Sequence, residues 1–318
     1  MTPEVPGSRL AASVIPTLFL RGLTEPGADR PAVLEAFLRD QGVDPIRIPL
    51  GGSLHLAVKY PDSSYSVRNR TKLLVAHHDR RPGSAGALDN GAACLQLAGL
   101  AGRLARREEP HDTVILFTDS EEASGAGAQG SFSVARALAG RIGALAGRIG
   151  ALAGRAEDPP AVFVFDVTGR GTVPILSSTA RDLLASRGLD EGNLAGRIGD
   201  LSTWAARAVR RASGTAPLRL PVPWSDELGF ALGGIPAVTL TLLPRAEAEV
   251  FHASASRSRS GGADAPPGSF PRSMPATWAL LHGPGDRPEV LEAESFDLMA
   301  RILDAFGDLR IPRVRRIR

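Results

Sequence analysis

A single cysteine, Cys94, stands among 318 residues. No intrachain disulfide can form, and a reducing, cytoplasmic setting is the expectation, with secretion as the alternative. Long apolar runs are missing as well. None reaches the roughly 18–20 residues that cross a bilayer, so no membrane partner is expected. The apolar stretch Leu10–Leu20 contains Pro16, has only Arg9 before it and is followed by no convincing cleavage site. It reads as a first helix or strand rather than a signal peptide. Charge of either sign is nearly balanced, at a net +3, and much of the basic excess sits in the tail RIPRVRRIR, residues 310–318. That tail reads as a solvated charge run rather than a contact for nucleic acid or anionic lipid.

A hydrophobic fraction of 43% is ample for one large core. The 35 glycines and 25 prolines accompany frequent Ala and Arg, a composition that fits GC-rich coding rather than disorder. Helical spacing of apolar residues predicts helices over 31–41, 92–105 and about 289–306. Short apolar runs predict buried strands at 72–76, 113–118, 161–167 and 235–243. Strands alternating with helices point to an α/β sheet covered on both faces.

One segment is a tandem repeat: ALAGRIG fills 137–143, recurs at 144–150 and restarts at 151–155. Leu138, Ile142, Leu145, Ile149 and Leu152 fall on one helical face, and seven residues are close to two turns, so a duplication keeps the face in phase. The segment reads as an expansion lengthening a surface helix. Residues 253–275 are rich in Ser, Gly and Pro and read as a mobile loop.

Metal-ligand residues cluster where the buried strands end. His77, His78 and Asp79 follow KLLVA; Asp89 follows a Gly-rich turn; Glu121 and Glu122 follow TVILFT by a few residues; Asp166 lies within VFVFDVTG. Ligands bind at the carboxyl ends of strands in such sheets, so these residues can converge. Imidazole and carboxylate suit zinc. In His77-x-Asp79 the carboxylate can fix the imidazole's tautomer. A shared carboxylate can bridge two ions. Taken singly the signals are weak: Asp-Asn-Gly is a common turn, and a Glu pair is a common helix start.

The ordered set resembles the M28 zinc peptidases, a family of bacterial aminopeptidases with glutaminyl cyclase relatives. The matching text is AHHDRRPGSAGALDNGAACLQLAGL, ILFTDSEEASGAGAQGSFSVAR, FDVTG, WSDELGFALGGIPAVT and LHGPGDRPE. The likeness covers about 70–305 and is weak before residue 65. It implies that His77, Asp89, Glu122, Asp166 and His282 hold two Zn2+ ions per chain, with Asp89 bridging. It also implies Glu121 as general base and Asp79 as the group orienting His77. His78 could replace His77, and His252 could replace His282, but only His77 has the His-x-Asp spacing and only His282 the following Pro-x-Asp. His55 and His111 read as structural or exposed, and Cys94 as core. Two positions depart from the family pattern: Leu281 where some relatives carry an aromatic residue, and Glu227 where His is frequent. Glu122 and Asp166 are 44 positions apart (166 − 122), or 30 with two repeat copies removed (44 − 14), near the family's spacing.

The expected fold is a single α/β domain with a mixed, mostly parallel sheet of about eight strands between helices. Residues 1–64 form its lead-in, 65–309 the catalytic region with the 137–155 insertion and the 253–275 loop, and 310–318 the tail. The expected substrate is a peptide or aminoacyl compound with a free N-terminus. A glutaminyl cyclase-like transferase and a metal-free binding domain are the alternatives.

Overall fold

The computed structural model describes residues 15–123, 127, 129–140, 159–188, 193–260 and 274–313. Its eight strands are β1 (Ile46–Leu50), β2 (Ser53–Val58), β3 (Lys72–His77), β4 (Thr113–Thr118), β5 (Ala161–Phe165), β6 (Val173–Ser177), β7 (Leu218–Leu220) and β8 (Ala237–Leu243). They form one sheet in the order β1-β2-β4-β3-β5-β8-β6-β7. The central strands β4, β3, β5 and β8 run parallel, and β1, β2 and β6 introduce antiparallel pairs. The sheet is mixed and eight-stranded, as the expected fold has it.

Strand alternation divides the core into two layers. Leu74, Ala76, Ile115, Phe117, Phe163 and Phe165 point to one face. There they meet α2 (Arg30–Asp40), α3 (Ala92–Ala105), α6 (Leu194–Ser213) and α10 (Ala293–Asp308). Phe306 of α10 stands edge-on to both Phe163 and Phe165 at 4.9 and 5.3 Å. Leu73, Val75, Val114, Leu116, Val162 and Val164 point the other way, against α4 (Gly130–Leu138) and α7 (Asp226–Leu232). Burial on both faces is why these strands read as continuous apolar runs. Helix α2 starts where Asp29 accepts the Ala32 N–H at 3.1 Å and Pro31 fills a position needing no N–H.

The remaining helices are α1 (Thr17–Thr24), α5 (Thr179–Ser186), α8 (Arg245–Ser260) and α9 (Ala276–Ala279). Two expectations change, and a third lies largely outside the described residues. Helix α8 runs through Ser260, so residues 253–260 are helical where composition suggests a loop. Its Ala248, Phe251 and Ala255 are buried, a spacing of three and four that overrides the polar composition between them. Residues 261–273 lie outside the described residues. The start of the basic tail is docked rather than solvated. Ile311 is buried, Arg310 bonds the Pro110 carbonyl, and Arg313 bonds the Asn69 carbonyl at 2.8 Å. The tandem repeat is described only at its start. Helix α4 ends at Leu138, and Gly140 takes φ +69°; residues 141–158 lie outside the described residues. Among the described residues, no helix is long and apolar enough to cross a membrane.

Candidate metal centre and its cleft

The chain passes from β3 to β4 on one side and from β4 to β5 on the other side of β3, so their carboxyl ends flank a switch point of the topology. His77 ends β3 and is fully buried. Asp89 sits in a tight turn over Ala87–Gly91, entered through Gly86 at φ +63°. A Cβ on Gly86 would lie 2.7 Å from an Arg30 guanidinium nitrogen and 3.0 Å from the Asp89 carbonyl, so no side chain fits there. Glu121 and Glu122 follow Ser120, and Asp166 precedes Val167; both neighbours are left-handed, at φ 61° and 53°. For a β-branched valine that conformation costs about 1–3 kcal/mol, held in place by its surroundings. His282 lies in the loop between α9 and α10, also left-handed at φ 62°.

These residues converge as two groups sharing one carboxylate. His77, Asp89 and Asp166 form the first, and Asp89, Glu122 and His282 the second, with the ligand atoms of each within 4.8 Å of one another. Asp89 divides its oxygens: Oδ1 lies 3.0 Å from His77 Nε2, and Oδ2 lies 3.2 Å from His282 Nε2. Asp166 Oδ1 is 3.6 Å from His77 Nε2, and Glu122 Oε2 is 3.4 Å from His282 Nε2. His77 Nε2 and Asp166 Oδ1, which face each other across 3.6 Å, are buried without a well-formed hydrogen bond. Buried polar atoms left so are costly unless something else satisfies them, and a cation meeting imidazole and carboxylates would do so. The donor set fits zinc.

The supporting contacts fix this arrangement. Asp79 lies 3.4 Å from His77 Nδ1 and accepts the N–H groups of Glu121 and Glu122 at 3.1 and 3.0 Å. One carboxylate thus joins the end of β3 to the loop after β4. Glu121 receives Gln129 Nε2 at 3.0 Å on Oε1, and its Oε2 is 4.0 Å from His77 Nε2. Asn90 donates to the Phe165 carbonyl at 2.9 Å, and Cys94 to the His77 carbonyl at 3.0 Å. Burial raises Glu121 well above the usual carboxyl range, and burial with Asp89 beside it raises Glu122 to about 7. Burial opposes a charge on His77, yet Asp166, Asp79 and Asp89 together raise its pKa well above 6.5. So concentrated a set of acids calls for positive charge.

The structure brings together all seven residues named from the sequence and separates the competitors. His78 Nε2 pairs with the Leu54 carbonyl at 2.8 Å and belongs to neither ligand group. His252 is exposed and lines a different pocket with Arg245 and Glu249. His55 and His111 are buried, with Nδ1 accepting the N–H of Asp119 and Thr113 respectively. Glu227 is buried between Ser177 and the Thr239 N–H. Two supporting residues are given no role by the sequence alone. Asp286, four places after His282, accepts the N–H of Leu88 at 2.6 Å and of Asp89 at 3.3 Å. Buried Arg30 donates to the carbonyls of Leu23, His78, Ala85 and Gly86. The Pro-x-Asp after His282 was a signal for Asp286; nothing in the sequence around Arg30 points to the site. A cleft of about 310 Å³ opens over the centre, with Arg81, Val167, Trp224, Trp278 and Leu281 among its lining.

The family model for peptidase family M28 matches residues 56–306. The chain belongs to this family. Among solved structures it is similar to the LapA aminopeptidase of Legionella pneumophila, at 14% identity, TM-score 0.58, and coverage of 93% of this chain and 72% of that one. It is similar to the glutaminyl cyclase of Tannerella forsythia, at 14% identity, TM-score 0.57, and coverage of 92% and 97%. A Zn-dependent exopeptidase from Parabacteroides distasonis gives 13% identity, TM-score 0.56, and coverage of 92% and 96%. At these identities the likeness is one of fold. No curated protein matches by sequence. Family membership explains why Arg30 escapes notice: it lies before the matched segment.

Proposed function

We propose that this M28 member is a zinc-dependent aminopeptidase that removes N-terminal residues from peptides with a free amine. The observation that carries the reading is the division of Asp89 between two ligand groups, one oxygen to each histidine. A site for a single ion has no use for both groups. His77, Asp89 and Asp166 would hold one zinc ion, and Asp89, Glu122 and His282 the other. Bound zinc supplies Lewis acidity and lowers the pKa of a water toward about 7.

The chain's own groups do the rest. Glu121 belongs to neither ligand group, and Gln129 fixes one of its oxygens. Its other oxygen faces the centre, placed to take the attacking water's proton and return it to the departing amine. Asp79 keeps His77 oriented and couples that orientation to the Glu121 loop. The carboxylates left unneutralised favour a substrate ammonium, which selects unblocked N-termini. A cytoplasmic location accords with the single cysteine.

Three peptides test this: one with free N-terminal leucine, its acetylated form, and one with N-terminal glutamine. Mass spectrometry is expected to show loss of the first residue from unblocked peptides alone. Cleavage of the acetylated peptide would refute the exopeptidase reading. A 17 Da loss from the glutamine peptide without shortening would establish cyclase chemistry instead.

A further inference from the structure

The cleft over the centre is lined by Asp89, Glu121, Glu122 and Asp166, and among the described residues Arg81 is the one arginine or lysine in its lining. Arg81 Nε lies 2.7 Å from Glu122 Oε2, and its side chain remains 40% exposed. Its contact with Glu122 runs through Nε, and the partly exposed guanidinium lines the cleft. A guanidinium presents paired donors in a plane that matches a carboxylate, and it is always charged.

The contacts place Arg81 at one end of a sequence of charges. Asp166 and Glu121 flank His77, Asp89 joins His77 to His282, Glu122 approaches His282, and Arg81 pairs with Glu122. Arg81 thus enters this chain of contacts only through Glu122, while Asp166 and Glu121 enter it through His77. An ammonium suits the acidic groups and a carboxylate the guanidinium, so the pattern complements a molecule carrying both. At about 310 Å³ the cleft is at the small end of ligand pockets, sized for a short peptide rather than a long chain.

Resting on the exopeptidase reading, we propose that Arg81 is a specificity residue that binds a substrate carboxylate beyond the scissile bond. The preferred substrates are then short peptides whose free C-terminus or acidic second side chain reaches the guanidinium. Once Glu122 is engaged by a cation, its hold on Arg81 weakens and the fork turns to the incoming anion.

The test uses the zinc-loaded full chain and non-cleavable leucyl-leucine with a reduced peptide bond. Three forms are compared by calorimetry: the free carboxylate, the C-terminal amide, and an amide with aspartate in second place. The carboxylate is expected to bind tenfold or more tighter than the plain amide, the range of one charged hydrogen-bonded contact. The aspartyl amide separates the two sources: recovered affinity assigns the site to an acidic side chain, and none assigns it to the C-terminus. In Arg81→Met the ratio of carboxylate to amide should fall to about one, with Arg81→Lys between, and zinc content is measured in each variant. Neither the free carboxylate nor the aspartyl amide binding tighter than the plain amide in the parent protein, a preference unchanged in Arg81→Met, or binding of no form would overturn the proposal. Turnover of the parent peptides runs in parallel. Absent cleavage with the binding ratio intact would sink the hydrolase reading and leave the carboxylate site standing.

Discussion

Asp286 holds Asp89 by its main chain. One carboxylate oxygen accepts the Asp89 N–H at 3.3 Å, and the other accepts the adjacent Leu88 N–H at 2.6 Å. Because Asp89 serves both ligand groups, this brace positions the whole centre from the far side of the His282 loop. Asp286→Ala should weaken zinc binding by about 10–100-fold at both positions, the cost of losing a support behind metal ligands. Competition against a chelating dye measures it. Unaltered affinity would show that the Gly86–Gly91 turn keeps its shape unaided.

The two adjacent glutamates have separate tasks. Glu121→Gln should lower turnover by on the order of 10²–10⁴ while zinc content is retained, because a base is lost and no ligand is. Glu122→Ala should lose one ion, since that carboxylate belongs to the second group. Elemental analysis beside a leucine-release assay distinguishes them. The reverse pattern would mean the roles are exchanged.

Most of the site was legible because its residues follow strands that read plainly. KLLVAH and TVILFT are buried at every position, and such runs announce central parallel strands whose ends carry function. The edges of the sheet were less legible for physical reasons. β2 buries Ser53 and His55 among apolar neighbours, β6 contains Pro174, and β7 has three residues, so none shows a clean apolar pattern. The polar stretch at 253–260 continues a helix because Ala248, Phe251 and Ala255 anchor α8. Arg30 works through four carbonyl groups, and such partners leave no trace in side-chain identity.

His55 makes stability depend on acid. Burial, with His78 nearby, lowers its pKa from 6.5 to about 4, and its Nδ1 accepts the Asp119 N–H at 3.1 Å. The unfolded chain therefore binds more protons than the folded one between pH 6.5 and about 4. Stability from this group is full above pH 6.5 and is lost as pH falls toward about 4, by on the order of 3 kcal/mol. Denaturant unfolding of chelator-treated protein across that window measures the slope. His55→Asn keeps an acceptor that does not titrate, and should reduce the slope by this group's share, leaving that of His111, which burial also lowers to about 4; an equal slope in the variant would remove His55 from the account.

The repeat should be dispensable. Deleting 137–150 joins Arg136 to Ala151, and Ala151 and Leu152 then replace Ala137 and Leu138 at the end of α4. The buried alanine of that turn is restored, and stability should change by less than about 1 kcal/mol. Thermal melting and leucine release by the deletion variant check this. Loss of either would make the repeat structural.

The central claim is a centre for two ions built around Asp89, and zinc stoichiometry tests it most directly. Elemental analysis of protein reconstituted with zinc and freed of excess should give two ions per chain, falling toward one in His77→Ala and in His282→Ala. Saturation at one ion per chain, with His77→Ala retaining it and its activity, would contradict the account.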